Sequence, residues 1–314
     1  MRVLVTGVTG FVGGHLAELL AAEGGHTLYG LSRSGAWPAG LAHLAGQVEL
    51  HAADVLDAAA LDRVLAAARP DWVFHLAGYA NTGKSFKEPD ACWRDNLGGT
   101  QALYGAIRRS GLAPRVVFAS TGLVYGDPDP PGEPVPESAE LRPASPYAAS
   151  KAAADLLSYQ AFKSDGLHVV RARPFTQTGP RQAADYAIAN FARQIAAAER
   201  GDMAPVIRTG DLSARRDYLD VRDVVAAFRL LVERGAPGEA YNVGRGRAVR
   251  IADALGMLVA SAKVPVEVVS QADPARAGDT AVTMADPRKL RAATGWEARR
   301  TLESTLADVL AAWR

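Results

Sequence analysis

The chain has 314 residues, with 35 Lys and Arg against 34 Asp and Glu, six His and one Cys. That balance provides no basic patch or acidic tail for nucleic acid or a membrane surface, and no apolar run approaches membrane-spanning length. A lone Cys92 excludes an internal disulfide, the histidines lack metal-ligand spacing, and the N-terminus enters a strand without a signal-peptide pattern, so a cytoplasmic protein is expected.

Val3-Leu4-Val5-Thr6 is a short β-branched run, followed at once by glycines at 7, 10 and 13. Leu16, Leu19 and Leu20 then fall at helical spacing. Strand, glycine turn and helix form the context of a dinucleotide fingerprint, although the spacing here is G-x-x-G-x-x-G and glycine turns also occur with no ligand. In that reading Gly7 permits the tight turn, Gly10 lets backbone approach a pyrophosphate, and Gly13 lets helix and strand pack closely. The helix N-terminus supplies free N–H groups and positive potential.

Strands are predicted at 27–31 and 48–52, a helix at 57–68 and, within 72–78, a buried strand ending on a small-residue turn. A long helix at 88–109, a strand at 116–120, a helix at 146–163 and a strand at 168–173 follow. This βαβ alternation predicts a doubly wound parallel sheet with ligands at the C-terminal strand ends. Residues 174–182 form a polar loop, helices are predicted at 186–200 and 221–234, and the tail mixes short elements, including 264–269 and 302–313. The expected division is 1–174 for a dinucleotide-binding domain and 175–314 for a smaller substrate lobe. Segments such as 219–243 are open to returning to the main sheet.

The second predicted strand ends in Ser32-Arg33, where an acid would receive the ribose hydroxyls of NAD. A guanidinium in that place points to NADP(H), or else is a solvated loop charge. Asp54, beside Val55, is placed either to hold the adenine amino group or to cap the next helix. Tyr147 and Lys151 lie four apart on a predicted helix and so share a face. An exposed helix face is the ordinary explanation of such a pair. The chemical one is an ammonium that lowers the tyrosine pKa, so that it exchanges a proton with a carbonyl or alcohol oxygen. Thr121, ending the fifth strand, is placed to bond the same oxygen.

These pieces, in this order, resemble the extended short-chain dehydrogenase/reductase family over nearly the whole chain. The resemblance rests on the glycine turn, Asp54-Val55, His75-Leu76-Ala77-Gly78, Asn96, Thr121 before Tyr125-Gly126, and Tyr147-x-x-x-Lys151. It rests also on Arg173-Pro174-Phe175, Arg216-Asp217-Tyr218 and Tyr241-Asn242-Val243-Gly244. It implies a Rossmann sheet with a C-terminal α/β lobe, a nucleotide-diphosphate sugar substrate and a homodimer through the helices near 88–109 and 146–163. It implies catalysis by Thr121, Tyr147 and Lys151. A cofactor, NADP(H) in preference to NAD(H), would be held by Gly7, Thr9, Gly10, Phe11, Val12, Gly13, Ser32, Arg33, Asp54, Val55, Leu76, Ala77, Gly78, Asn96, Tyr147 and Lys151. Substrate would meet Thr121, Thr176, Arg181, Arg216 and Arg276, with Arg181 an extra cation that contacts phosphate or is solvated.

Within the family, the chain is most similar to reductases of GDP-linked 4-keto-6-deoxy sugars. It departs from the family pattern at Thr176, where members usually carry Asn, and at Gly122-Leu123-Val124, where such reductases tend to carry Ser-Glu-Glu. A sugar-nucleotide 4-epimerase uses the same triad, but Arg33 weighs against it. A cofactor-sensing protein without catalysis is the third reading, opposed by the intact triad.

Overall fold

The computed structural model describes residues 1–127, 132–271 and 280–314. The first half alternates β1 (Arg2–Thr6), α1 (Phe11–Glu23), β2 (Thr27–Ser32), β3 (Val48–Ala52), α2 (Ala58–Ala68) and β4 (Trp72–His75). Short helices α3 (Thr82–Ser85) and α4 (Pro89–Cys92) lead through a π turn, Trp93–Gly98, into α5 (Gly99–Ser110). Then come β5 (Arg115–Ala119), α6 (Pro146–Asp165), β6 (Val169–Pro174), β7 (Thr176–Thr178) and α7 (Ala187–Arg200). Next are β8 (Val206–Thr209), β9 (Arg215–Arg216), β10 (Tyr218–Asp220), α8 (Val221–Arg234) and β11 (Ala240–Val243). The tail holds β12 (Val249–Arg250), α9 (Ile251–Ala260), β13 (Glu267–Ser270), β14 (Val282–Thr283), α10 (Arg288–Thr294) and α11 (Leu302–Trp313).

Seven parallel strands form the main sheet in the order β11-β6-β5-β4-β1-β2-β3. Apolar residues alternate between its two faces. Val3, Val5, Phe74 and Val117 pack with Leu16 and Leu20 of α1 and Phe228 and Leu231 of α8. Leu4, Val73, Val116 and Phe118 pack with Leu61 and Leu65 of α2, Leu103 and Ile107 of α5 and Ala154 of α6. A separate core joins Ile188, Phe191 and Ile195 of α7 to Leu255 of α9 and Leu306, Val309 and Leu310 of α11. The strand order reverses at β1, which pairs with β2 on one side and β4 on the other, and this opens a crevice at their C-terminal ends.

The fourth strand closes on its expected turn after His75, where the N–H groups of Leu76 and Ala77 reach the Thr6 hydroxyl, both at 3.2 Å. Three expected elements differ. The helix expected at 88–109 carries a π turn at its middle. There the Asn96 amide reaches Ser150 of α6, and Gly99 lies so near Val55 that a Cβ would come within 2.8 Å. The polar loop 174–182 contains β7, which finds its partner β10 more than forty residues later in the chain, beyond the reach of local pattern. The strand expected at 264–269 starts only at Glu267, past Pro265, which has no N–H to give to a ladder.

Candidate active site

The loop after β1 sits at the crevice. Gly7 has φ +73°, and a Cβ there would meet the Ala77 backbone at 2.9 Å. A Cβ on Gly13 would stand 2.2 Å from the Gly7 carbonyl oxygen. Both positions exclude side chains, so backbone alone forms the cradle. Gly10 precedes α1 with no side chain to cap it, leaving the first N–H groups of the helix for an outside acceptor. This cradle fits a phosphate, and with it the pyrophosphate of a dinucleotide.

Gly7, Thr9, Gly10, Phe11, Val12, Gly13, Ser32, Arg33, Asp54, Val55, Leu76, Ala77 and Gly78 line one cavity of about 780 Å³, together with Thr121, Tyr147, Thr176 and Arg181. At the β2 end, hydroxyls run from Thr9 to Ser32 at 2.9 Å and on to Ser34 at 3.2 Å. Arg33 is 72% exposed beside them. Asp57, not Asp54, caps α2, accepting from Ala60 N at 2.9 Å. Asp54 closes a tight turn onto Leu56 N and faces the cavity.

At the other end stand Thr121 and Tyr147. Ser145 caps α6 through Ala148 N, and Pro146 occupies the first turn, which fixes where Tyr147 emerges. Lys151, one turn on, does not point at the phenol. Its ammonium donates to the Ala119 carbonyl and lies 4.6 Å over the Phe118 ring. The expected lowering of the tyrosine is therefore corrected: burial pushes Tyr147 above its ordinary value, opposed only in part by a hydrogen bond with Thr121. Burial lowers Lys151 to about 8, against the pull of Asp155. His75 is lowered to about 3 by burial and by the Lys151 charge, so it is neutral, bridging Thr6 at 2.8 Å and Thr100 at 3.1 Å.

A buried ion network underlies this end. Asp155 of α6 receives Arg171 at 2.7 Å and Arg173 at 2.8 and 2.9 Å. Arg173 also donates to the Tyr125 hydroxyl at 2.7 Å, which donates in turn to Asn242 at 2.8 Å. The network ties α6 to β6 and β11 and sets the height of Tyr147 and Lys151 above the sheet.

Some expected contacts fall elsewhere. Asn96 and Lys151 are buried and are not among the described residues lining the cavity. Asn96 donates to the Ser150 hydroxyl at 2.9 Å, and its amide oxygen would lie 2.4 Å from a Cβ on Gly78. It braces the cavity wall from behind. Arg181 neither stands free nor waits for phosphate alone. Its guanidinium reaches Glu18 at 2.5 Å and His15 at 3.1 Å, pinning the loop to α1. Arg216 lies on β9, donating to the Arg215 and Ala281 carbonyls at 3.0 and 3.4 Å, and is likewise not among the described lining residues. Arg276 lies outside the described residues.

The sequence reading passed over Gln177, Gln182 and Tyr186, which also line the cavity. Gln182 is tied to Thr178 at 2.9 Å and to the Gln177 carbonyl at 3.1 Å. Tyr186 precedes α7 and donates to the Ala80 carbonyl at 3.0 Å, and it lines the cavity close to Tyr147. The polar composition of 174–182 was a signal for the glutamines, whereas Tyr186 carried none.

Residues 4–309 match the GDP-mannose 4,6 dehydratase family. GDP-6-deoxy-D-mannose reductase of Pseudomonas aeruginosa is 34% identical, with 99% of this chain and 97% of that protein covered. UDP-glucose 4-epimerase of Mycolicibacterium smegmatis is 32% identical, covering 100% and 99%. The solved structure of RMD from Pseudomonas aeruginosa complexed with NADPH superposes with a TM-score of 0.85 at 32% identity, covering 100% of this chain and 99% of that one. On this match and these likenesses, the chain belongs to the GDP-mannose 4,6 dehydratase family of extended short-chain dehydrogenase/reductase enzymes.

Proposed function

We propose that the chain reduces the C4 carbonyl of a nucleotide-linked 4-keto-6-deoxy sugar, converting GDP-4-keto-6-deoxy-D-mannose to GDP-D-rhamnose. NADPH is the preferred cofactor and NADH a usable one. The observation that carries this reading is the content of the Thr121 and Tyr147 end of the cavity. Leu123, two residues after Thr121, lines it, while the carboxylates lining the cavity among the described residues, Asp54 and Asp95, are on the segments after β3 and on the π turn. A 4,6-dehydratase must take a proton from C5 and deliver one to the C6 oxygen, and Leu123 has no proton to exchange. A carbonyl reduction needs only one proton donor.

NADPH, when bound, supplies the hydride. Tyr147 gives its proton to the carbonyl oxygen, and a phenol raised by burial holds that proton at neutral pH. Thr121 bonds the same oxygen and sets the direction of transfer. The Lys151 ammonium, now on the Ala119 carbonyl, would hold the nicotinamide ribose. Thr176 and Arg181, which line the cavity, would contact the sugar nucleotide, and the family resemblance assigns Arg216 and Arg276 to its diphosphate. Residues 1–174, with 219–243, serve the cofactor, and the rest of 175–314 serves the substrate. The exposed Trp93, Leu156 and Tyr159, on the π turn and α6, support a homodimer across those helices.

The second reading, a 4-epimerase, is favoured by the 32% identical relative. Arg33, standing where an acid would select NAD, ranks it lower. A panel of GDP-4-keto-6-deoxy-D-mannose, GDP-mannose and UDP-glucose, with NADPH absorbance followed and products identified, separates the readings. One NADPH is consumed per keto sugar and the other two are untouched. Conversion of UDP-glucose to UDP-galactose without cofactor loss would establish the epimerase instead.

A further inference from the structure

Arg33 does not face the β2 end of the cavity alone. Asp95, on the π turn, lines the same wall, and its carboxylate stands 3.9 Å from the Arg33 guanidinium. Its other oxygen accepts from Arg94 Nε at 2.8 Å. The two partners differ in how they are held. Asp95 is 14% exposed on a helical turn, while Arg33 is 72% exposed on a long stem. The charge held most firmly at this place is therefore that of Asp95, and the exposed Arg94 and Arg33 are its movable counter-charges. Asp54 lines the cavity as well and adds a second carboxylate.

A phosphate carries a charge of roughly −1.5 to −2 near neutral pH. To bind Arg33 it must compete with Asp95 and then lie near that carboxylate. A ribose with two hydroxyls meets neither cost. We propose that Asp95 is a specificity-determining residue that limits the preference of this site for a 2′-phosphate and so keeps both NADPH and NADH usable. This inference rests on the reading of Arg33 as the group that faces the adenosine ribose.

Calorimetric titration of the full chain with 2′,5′-ADP and with 5′-AMP tests it, because these fragments report the adenosine end without chemistry. The wild type prefers 2′,5′-ADP modestly. Asp95→Asn, nearly isosteric, raises that ratio about tenfold, the order expected on removing one nearby like charge. Asp95→Ser does the same, which separates charge from amide geometry, and thermal melts confirm that both variants fold. Arg33→Ala turns the ratio below one, and the double variant returns it towards one. If both Asp95 variants leave the ratio unchanged or lower it while Arg33→Ala still reverses it, the inference fails and the cofactor reading stands. If Arg33→Ala also changes nothing, the reading of Arg33 itself is wrong.

Discussion

Lys151 turns its ammonium to the carbonyl of Ala119 at the end of β5, although Tyr147 lies one helical turn away on the same helix. Burial holds this lysine at about 8, against an ordinary 10.5. Two opposite pH effects follow. Between about 8 and 10.5 the native protein binds fewer protons here than the unfolded chain, so this group makes stability rise with pH across that window. In the proposed mechanism catalysis needs the ammonium, so kcat/KM falls from about pH 8 upward. A pH–rate profile flat to pH 10, with the fold intact by circular dichroism, would remove Lys151 from the mechanism.

Tyr147→Phe deletes one hydroxyl. It lowers turnover by at least about 100-fold, the low end for general acid catalysis, and leaves NADPH affinity within a few-fold. Single-turnover rates and fluorescence titration measure the two separately. A variant with normal turnover would mean that another group supplies the proton, and Tyr186, which lines the same cavity, would be the first to replace.

Gly13→Ala forces a Cβ to 2.2 Å from the Gly7 carbonyl oxygen and 2.8 Å from the Val8 Cα. Both neighbours are backbone and do not give way as a side chain does. The cradle opens, so cofactor affinity falls more than tenfold and the melting temperature drops. Unchanged titration curves would show that the cradle is not where the cofactor binds.

The fold was legible because each signal for it is local. Val3-Leu4-Val5 and Val116-Val117-Phe118 are apolar runs buried on both faces of the sheet, and their neighbours in sequence supply the covering helices. Tyr147 and Lys151 were legible as a pair because helical spacing is fixed. Their electrostatics were not, because the Ala119 carbonyl and the Phe118 ring that receive Lys151 come from another strand. The ion pair of Arg181 was not legible for the same reason. Its partners, Glu18 and His15, lie more than 160 residues earlier in the chain.

Asp155 is fully buried between Arg171 and Arg173, which are 12% and 4% exposed. Asp155→Asn leaves two guanidinium groups without their counter-charge. Breaking such a pair costs about 3–5 kcal/mol, so denaturant midpoints fall well below wild type. The two arginines hold the carboxyl below its ordinary value despite the opposing effect of burial. Its contribution to stability is therefore present above the ordinary carboxylate range and is lost as pH falls through the lower folded value. The variant then loses less stability on acidification than the wild type. Equal acid sensitivity in the two proteins would exclude Asp155 as a source of acid lability.

Leu123 faces the cavity two residues after Thr121, within a family named for dehydration. Eliminating water across C5 and C6 requires a base that removes the C5 proton after C4 is oxidised, and that base must then exchange its proton with solvent or substrate. A leucine side chain has no ionisable hydrogen, and Gly122 before it has no side chain. Gly122 leaves no room for a substitute either, since a Cβ there would stand 2.6 Å from the Phe175 ring. GDP-mannose incubated with the enzyme and NADP⁺ in deuterium oxide therefore gains no deuterium at C5, and its mass by spectrometry stays constant. The same preparation still consumes NADPH with the 4-keto sugar, which shows that the protein is active. Deuterium at C5 together with loss of water would mean that another group near Tyr147 acts as the base, and the chain would then be a dehydratase in spite of Leu123.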